Sequence, residues 1–178
     1  AFAVIGTPIA LFPILRKHNQ SLALAAICFR LLEATIIIIG IMSLLTIVSL
    51  NHEFLNETKA NVPAFQLASK LLVSLHNWTF LYGPNLVLGP STLITSYILY
   101  KSKIVPRYIS ILGIVGGPLI SICAILVMFG IFIQISVIGA LFAIPVFLYE
   151  MSLAIWLIIN GFNLTFLNVG QGRLDENY

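Results

Sequence analysis

Residues 21–50 read SLALAAICFRLLEATIIIIGIMSLLTIVSL, and Arg30 and Glu33 are the only two residues of that stretch that carry a formal charge. A helix rises about 1.5 Å per residue, so about 20 apolar residues cross a hydrocarbon core that is about 30 Å thick. The stretch therefore predicts a membrane-spanning helix. We expect Ser21 to cap its N-terminus, because a serine hydroxyl can accept a hydrogen bond from the first turn.

The rest of the chain has the same apolar character. Hydrophobic residues make up 60% of the 178 residues, charged residues only 8%, and the mean hydropathy is +1.06. A soluble domain is about 45–50% apolar and about 25% charged. We therefore predict an all-α, polytopic transmembrane helical bundle of about five helices, which forms one domain over residues 1–178 with the lipid bilayer as its main partner.

The apolar runs place the spans at about 1–15, 21–50, 65–100, 108–129 and 136–162, followed by a short tail at 163–178. The third run carries Gly83-Pro84 and Gly89-Pro90. Because proline removes a helical hydrogen bond, we expect one long kinked span there, with a break near Gly83 as the alternative. Prolines at 118 and 145 are expected to interrupt the last two spans.

Loop charges predict the orientation. Residues 16–18 and 101–107 are basic, whereas residues 51–64 hold two glutamates against one lysine. Basic and non-basic loops alternate along the chain, so the positive-inside rule predicts that the basic loops and the C-terminal tail are cytoplasmic. The first run is too short for a full crossing and would begin on the outer side. We therefore expect one more span upstream in the full gene product.

Three groups of motifs are distinctive: NQSLAL with FRLLEA in 19–34, VPRY with LGIVGGP in 105–118, and P…EMSLA…WLI…GF in 145–162. With these motifs, the chain resembles an uncharacterised family of bacterial multi-pass integral membrane proteins that is catalogued only as a domain of unknown function. The resemblance covers about residues 16–163. It implies a helical bundle in the bacterial cytoplasmic (inner) membrane and one further hydrophobic segment before residue 1. It implies no activity or substrate.

Four ionisable side chains fall near the middle of the predicted spans: Arg30, Glu33, His76 and Glu150, with Asn77 beside the histidine. Such side chains are costly in a bilayer and usually face a partner or a cavity. Helix rise places all four about 14–18 Å from the nearer end of their spans, close to the midplane. A shared depth is what a common site for a ligand, ion or proton would require.

Arg30 and Glu33 lie three residues apart on one helix face and are expected to pair. If they pair, Glu150 and His76 remain, and these two would either neutralise each other's charge or take up and release protons. With Arg30 occupied, we expect Glu150 to be a proton or ligand site and not a fixed counter-ion. The alternative is structural, because interhelical ion pairs and hydrogen bonds also fix how helices dock.

Three functions stay open at this point. The first is binding or transport of a small ligand, ion or proton at the polar cluster, and the second is a structural subunit that associates with itself or with a membrane partner. The third is an intramembrane enzyme that uses Glu33 or Glu150 as acid/base beside His76. No catalytic motif is recognisable, and we expect no cofactor, metal or nucleic acid. Cys28 and Cys123 are expected to be buried small hydrophobes, and Gly113–Gly117 to form a close helix–helix contact.

Overall fold

The computed structural model describes residues 2–56 and 62–160. Within these ranges the chain forms helices joined by short connections: α1 Phe2–His18, α2 Gln20–Asn56, α3 Val62–Leu81, a π-helical segment Tyr82–Val87, α4 Leu88–Ser102, α5 Arg107–Met128 and α6 Val137–Asn160. Since α3, the π segment and α4 follow one another without a break, they act as one long helix. The all-α bundle of five helices is therefore confirmed.

A long antiparallel hairpin forms one part of the bundle, with α2 on one side and α3, the π segment and α4 on the other. His76 Nδ1 lies 3.1 Å from the Gly40 carbonyl oxygen, and the Ser91 hydroxyl donates to the Ala26 carbonyl at 3.3 Å. These contacts run in opposite order along the two helices. Helix α1 packs against α2, α5 packs against α4 and the π segment, and α6 packs against α5.

The π segment lies where the sequence places Gly83 and Pro84. Proline has no N–H to donate, so the regular hydrogen-bond pattern changes at this point without ending the helix. Gly83 is buried, and a Cβ added there would lie 3.3 Å from Ile36 on α2. The third apolar run is thus one continuous helix, and its departure from regular α-helix is local.

Glycines on α5 set how closely the helices pack. A Cβ added at Gly117 would lie 2.7 Å from the Gly89 carbonyl oxygen on α4, and one at Gly116 would lie 2.8 Å from the Val146 backbone nitrogen on α6. Only residues without side chains allow backbones to approach so closely. The predicted close helix–helix contact is therefore confirmed, and α5 is its central member.

Three predicted details at helix ends and prolines are wrong. Helix α2 begins at Gln20, and the Leu22 N–H donates to the Asn19 side-chain oxygen at 3.0 Å, so Asn19 and not Ser21 is the cap. Helices α5 and α6 continue through Pro118 and Pro145. A proline inside a helix removes one hydrogen bond, but packing against neighbouring helices holds the chain in place.

Three helical stretches within the described ranges are long and apolar enough to cross a membrane: Gln20–Phe54, Arg107–Met128 and Val137–Asn160. The C-terminal ends of α1 and α4 and the N-terminal end of α5 carry Arg16, Lys17, Lys101 and Arg107. The antiparallel packing brings these residues to one end of the bundle, the basic end. The predicted C-terminal tail and the residues at 57–61 lie outside the described residues.

Candidate polar site in the transmembrane bundle

Arg30 is the centre of a charged cluster on α2 and α6. Its Nη1 donates to Glu33 Oε2 at 3.3 Å, and its Nη2 donates to Glu150 Oε1 at 2.8 Å. The Arg30 side chain is 14% exposed and the Glu33 side chain 3%, whereas 43% of the Glu150 side chain is exposed. One guanidinium thus bridges a buried carboxylate and an accessible one.

The directions of the helices explain how Arg30 reaches Glu150. Side chains lean toward the N-terminus of their own helix. Helix α2 begins near the basic end, and α6, which lies antiparallel to α5, begins at the opposite end. The Arg30 side chain therefore leans toward the basic end and the Glu150 side chain away from it, so the two approach each other from different levels.

A cleft of about 300 Å³ lies next to the cluster. We call it the lateral cleft, and it is lined by residues from four helices: Pro8 and Leu11 on α1, Arg30 on α2, Thr95 on α4, and Glu150 and Ala154 on α6. Glu150 lies 13 residues after the start of α6 and 10 residues before its end. Because Glu150 is exposed in the middle of its helix, the cleft opens on the side of the bundle.

Tyr149 lines the same cleft and belongs to the buried core at the basic end of the bundle. It is 2% exposed, and the described residues supply no hydrogen bond of acceptable geometry to its hydroxyl. The nearby Ser96 hydroxyl donates to the Thr92 carbonyl at 2.6 Å. A buried polar group without a partner is uncommon and costs stability. Tyr149 therefore adds to the wall of the cleft a buried polar atom that has no hydrogen bond within the described part of the chain.

His76 does not join the cluster, and the expected balance between it and Glu150 is wrong. Its contact is with the Gly40 carbonyl, and Gly40 lies seven residues beyond Glu33, about 10 Å further along α2. Asn77, the next residue on α3, is exposed. The similar depths of the four ionisable residues were misleading, because helix α3 presents His76 to a part of α2 further from the basic end.

The expectation that Glu33 alone occupies Arg30 is wrong. Arg30 is not committed to Glu33, since its second nitrogen makes the shorter of its two contacts with Glu150. Sequence reasoning also missed Thr95 and Tyr149 as neighbours of the cluster. A polar residue in an apolar run, such as Thr95, is the signal that could have identified one of them.

The described residues contain no group of three or more His, Cys, Asp or Glu side chains that could hold a metal ion. Both cysteines are free thiols, Cys123 buried and Cys28 exposed. The expected burial of Cys28 is therefore wrong. Its exposure on an apolar helix places a small, weakly polar side chain at the lipid-facing surface, where it is well tolerated.

The profile of a protein family described as "Domain of unknown function (DUF4386)" matches residues 1–161 of the chain. No curated protein and no solved structure matches it.

Proposed function

We propose that this chain, which belongs to the DUF4386 family, binds a small ligand, ion or proton at the cluster of Arg30, Glu33 and Glu150. The observation that carries the proposal is the state of Glu150. It pairs with Arg30 yet keeps 43% of its side chain exposed, next to a cleft, in the middle of an apolar helix. A carboxylate in such a position is costly unless it serves a partner or a cavity.

We further propose that the protein is a multi-pass protein of the bacterial cytoplasmic membrane with the basic end of the bundle inside. The support is the clustering of Arg16, Lys17, Lys101 and Arg107 at one end, as the positive-inside rule requires. A C-terminus that follows α6 would also be cytoplasmic, because α6 runs toward that end. Association with a second copy or with a membrane partner belongs to this proposal as well.

A structural role is the second candidate, and the bridging geometry of Arg30 favours it. The Arg30–Glu150 contact ties α6 to α2, although α6 packs mainly against α5. Interhelical polar contacts of this kind stabilise bundles in lipid. An intramembrane enzyme has less support, because its acid/base pair would need His76 beside a carboxylate and His76 contacts Gly40 instead.

Labelling with a membrane-soluble carbodiimide separates binding from a purely structural role. The reagent forms a covalent adduct with protonated carboxyl groups that it can reach from the bilayer; the acid proton passes to a carbodiimide nitrogen as the carboxyl oxygen adds to the central carbon. For the purified protein in lipid nanodiscs at several pH values between about 5 and 8, the binding proposal expects an adduct on Glu150 and none on Glu33. Peptide mass spectrometry locates the adduct.

A matched pair of variants controls for access to the cleft. Ala154→Trp fills the lateral cleft and should protect Glu150, whereas Ile158→Trp lies one turn further along α6, at a residue that is 82% exposed, and should not. A Glu150 that stays unlabelled at every pH would be either inaccessible or held ionised by Arg30 throughout. That result would favour the structural role.

A further inference from the structure

The lateral cleft has walls and a floor of different chemistry. Helices α1 and α6 form its two sides, and apolar residues such as Leu11 and Leu157 dominate them. Its polar lining includes Arg30, Thr95 and Tyr149, which are largely buried and form the floor, and Glu150, whose exposed side chain lies at the opening. Ligand sites commonly combine apolar walls with a few convergent polar groups. An occupant of this cleft would therefore have one polar end and an apolar remainder.

The charges of the cluster indicate the sign of that polar end. One guanidinium faces two carboxylates, and both ion pairs that the described residues make with these carboxylates come from Arg30. With all three groups ionised, the cluster carries one excess negative charge. An uncompensated charge is costly in a low-dielectric environment. An incoming anion would meet two like charges, whereas a monocation would neutralise the cluster.

The acceptors around the cleft indicate the kind of cation. A primary ammonium has three N–H donors. Glu150 and Thr95 line the cleft and carry oxygen atoms that can accept hydrogen bonds, two from the carboxylate and one from the hydroxyl. The Tyr149 hydroxyl is buried behind the same wall. A quaternary ammonium has no N–H donor and is better recognised by an aromatic cage. Tyr149 is the only aromatic residue that the described part of the chain contributes to the cleft.

We infer that the lateral cleft binds the primary amine of a single-chain amphiphile. The ammonium group is held by Glu150 beside Arg30, and the first carbons of the tail lie between α1 and α6. The remainder of the tail extends into the bilayer through the side opening, since a cleft of about 300 Å³ holds only a small part of such a molecule. This inference rests on the proposed binding function and specifies its ligand class.

The test uses the full chain in zwitterionic phosphatidylcholine nanodiscs and three photoactivatable probes. The probes are a long-chain primary amine, the matching alcohol and the matching carboxylic acid, each with a diazirine in the chain. Crosslinked residues are located by peptide mass spectrometry. We expect the amine to label the facing surfaces of α1 and α6 at least about tenfold more than the alcohol or the acid, because a hydrogen bond to a charged group contributes about that factor.

Four variants sharpen the result. Glu150→Gln and Ala154→Trp should each remove the excess labelling by the amine, the first by removing the charge and the second by filling the cleft. Glu53→Gln changes an exposed glutamate near the far end of α2, and Ile158→Trp adds an indole outside the cleft. Both controls should label as the wild type does. Ala154→Trp keeps the test decisive if Glu150→Gln fails to fold.

Each other outcome overturns the inference. Equal labelling by the acid or the alcohol would show that the amine is not recognised, and labelling that persists in Glu150→Gln would show that its charge is not used. If the carbodiimide reacts with Glu150 but the amine gains no specific labelling, the proposed binding function stands and the amphiphilic amine is wrong as its ligand. If Glu150 is also inert to the carbodiimide, both fail.

Discussion

Replacing Arg30 by glutamine tests whether one guanidinium serves both carboxylates. In the wild type, Arg30 contacts Glu33 at 3.3 Å and Glu150 at 2.8 Å. Arg30→Gln leaves two carboxylates without a cation. Glu33→Gln leaves the pair of Arg30 and Glu150, which is neutral. The structure therefore predicts that Arg30→Gln is the more harmful of the two changes.

The expected magnitudes follow from burial. Breaking a buried ion pair by removing one partner costs about 3–5 kcal/mol of unfolding free energy. Because Glu150 is 43% exposed, we expect Arg30→Gln to cost about 3 kcal/mol, at the lower end of that range. In Glu33→Gln the amide oxygen can still accept from Arg30 Nη1, so the expected cost is about 1 kcal/mol.

Unfolding in mixed micelles, followed by circular dichroism while the fraction of denaturing detergent rises, measures these free energies. A triple variant with Arg30→Met, Glu33→Gln and Glu150→Gln removes every charge of the cluster and should recover most of the stability that Arg30→Gln loses. The reasoning is refuted if Glu33→Gln destabilises the protein more than Arg30→Gln. That order would mean that Arg30 depends on Glu33 alone and that Glu150 gives it no support.

Three further predictions concern packing and topology. Gly117→Ala should lower the unfolding free energy by about 1–3 kcal/mol, because the new methyl group would meet the backbone of α4. Gly6→Ala is the control: its methyl group would meet nothing within 4 Å, so the unfolding free energy should stay unchanged or rise. The same micelle assay compares the two variants. His76→Ala should cost only about 0.6 kcal/mol, the usual value of an interhelical hydrogen bond in lipid, and should leave carbodiimide labelling of the cluster unchanged. Single cysteines at positions 51 and 103, in a background with both native cysteines replaced by serine, test the orientation. A membrane-impermeant thiol reagent applied to intact cells should label the cysteine at Asn51 and not the one at Lys103. The opposite labelling would invert the proposed orientation.

The sequence was sufficient for the architecture because lipid imposes simple rules. An apolar run of about 20 residues must be helical in a bilayer, since every backbone polar group needs an internal partner. Run length and loop position therefore predicted all five helices, although the ends moved by a few residues. The glycine-rich run on α5 was also predictable, because small residues at close spacing are typical of tight helix contacts. Cap identity was less predictable, since Asn19 and Ser21 are both good capping residues.

The polar site was only partly predictable, because a contact depends on more than depth. Helix rise gives the level of a residue, but two residues at one level meet only if their helices are neighbours and present the right faces. His76 lies at a similar estimated depth to the glutamates and contacts Gly40 instead. Arg30 and Glu150 form a hydrogen bond although their backbones lie at different heights along the bundle. Their helices are antiparallel, so the two long side chains lean toward each other. Neither fact can be read from spacing along one helix.

The unequal environments of the two glutamates support the proposed binding site over a purely structural contact between α2 and α6. A clasp between α2 and α6 would need only one carboxylate for one guanidinium, and both would be best buried together. In this bundle the buried Glu33 is three residues from Arg30 on the same helix, so it cannot tie two helices together. It partly neutralises Arg30 from within α2 and weakens the hold of Arg30 on Glu150. A carboxylate held in this way beside an open cleft can exchange its partner for another cation, which a fully matched pair cannot do at comparable cost.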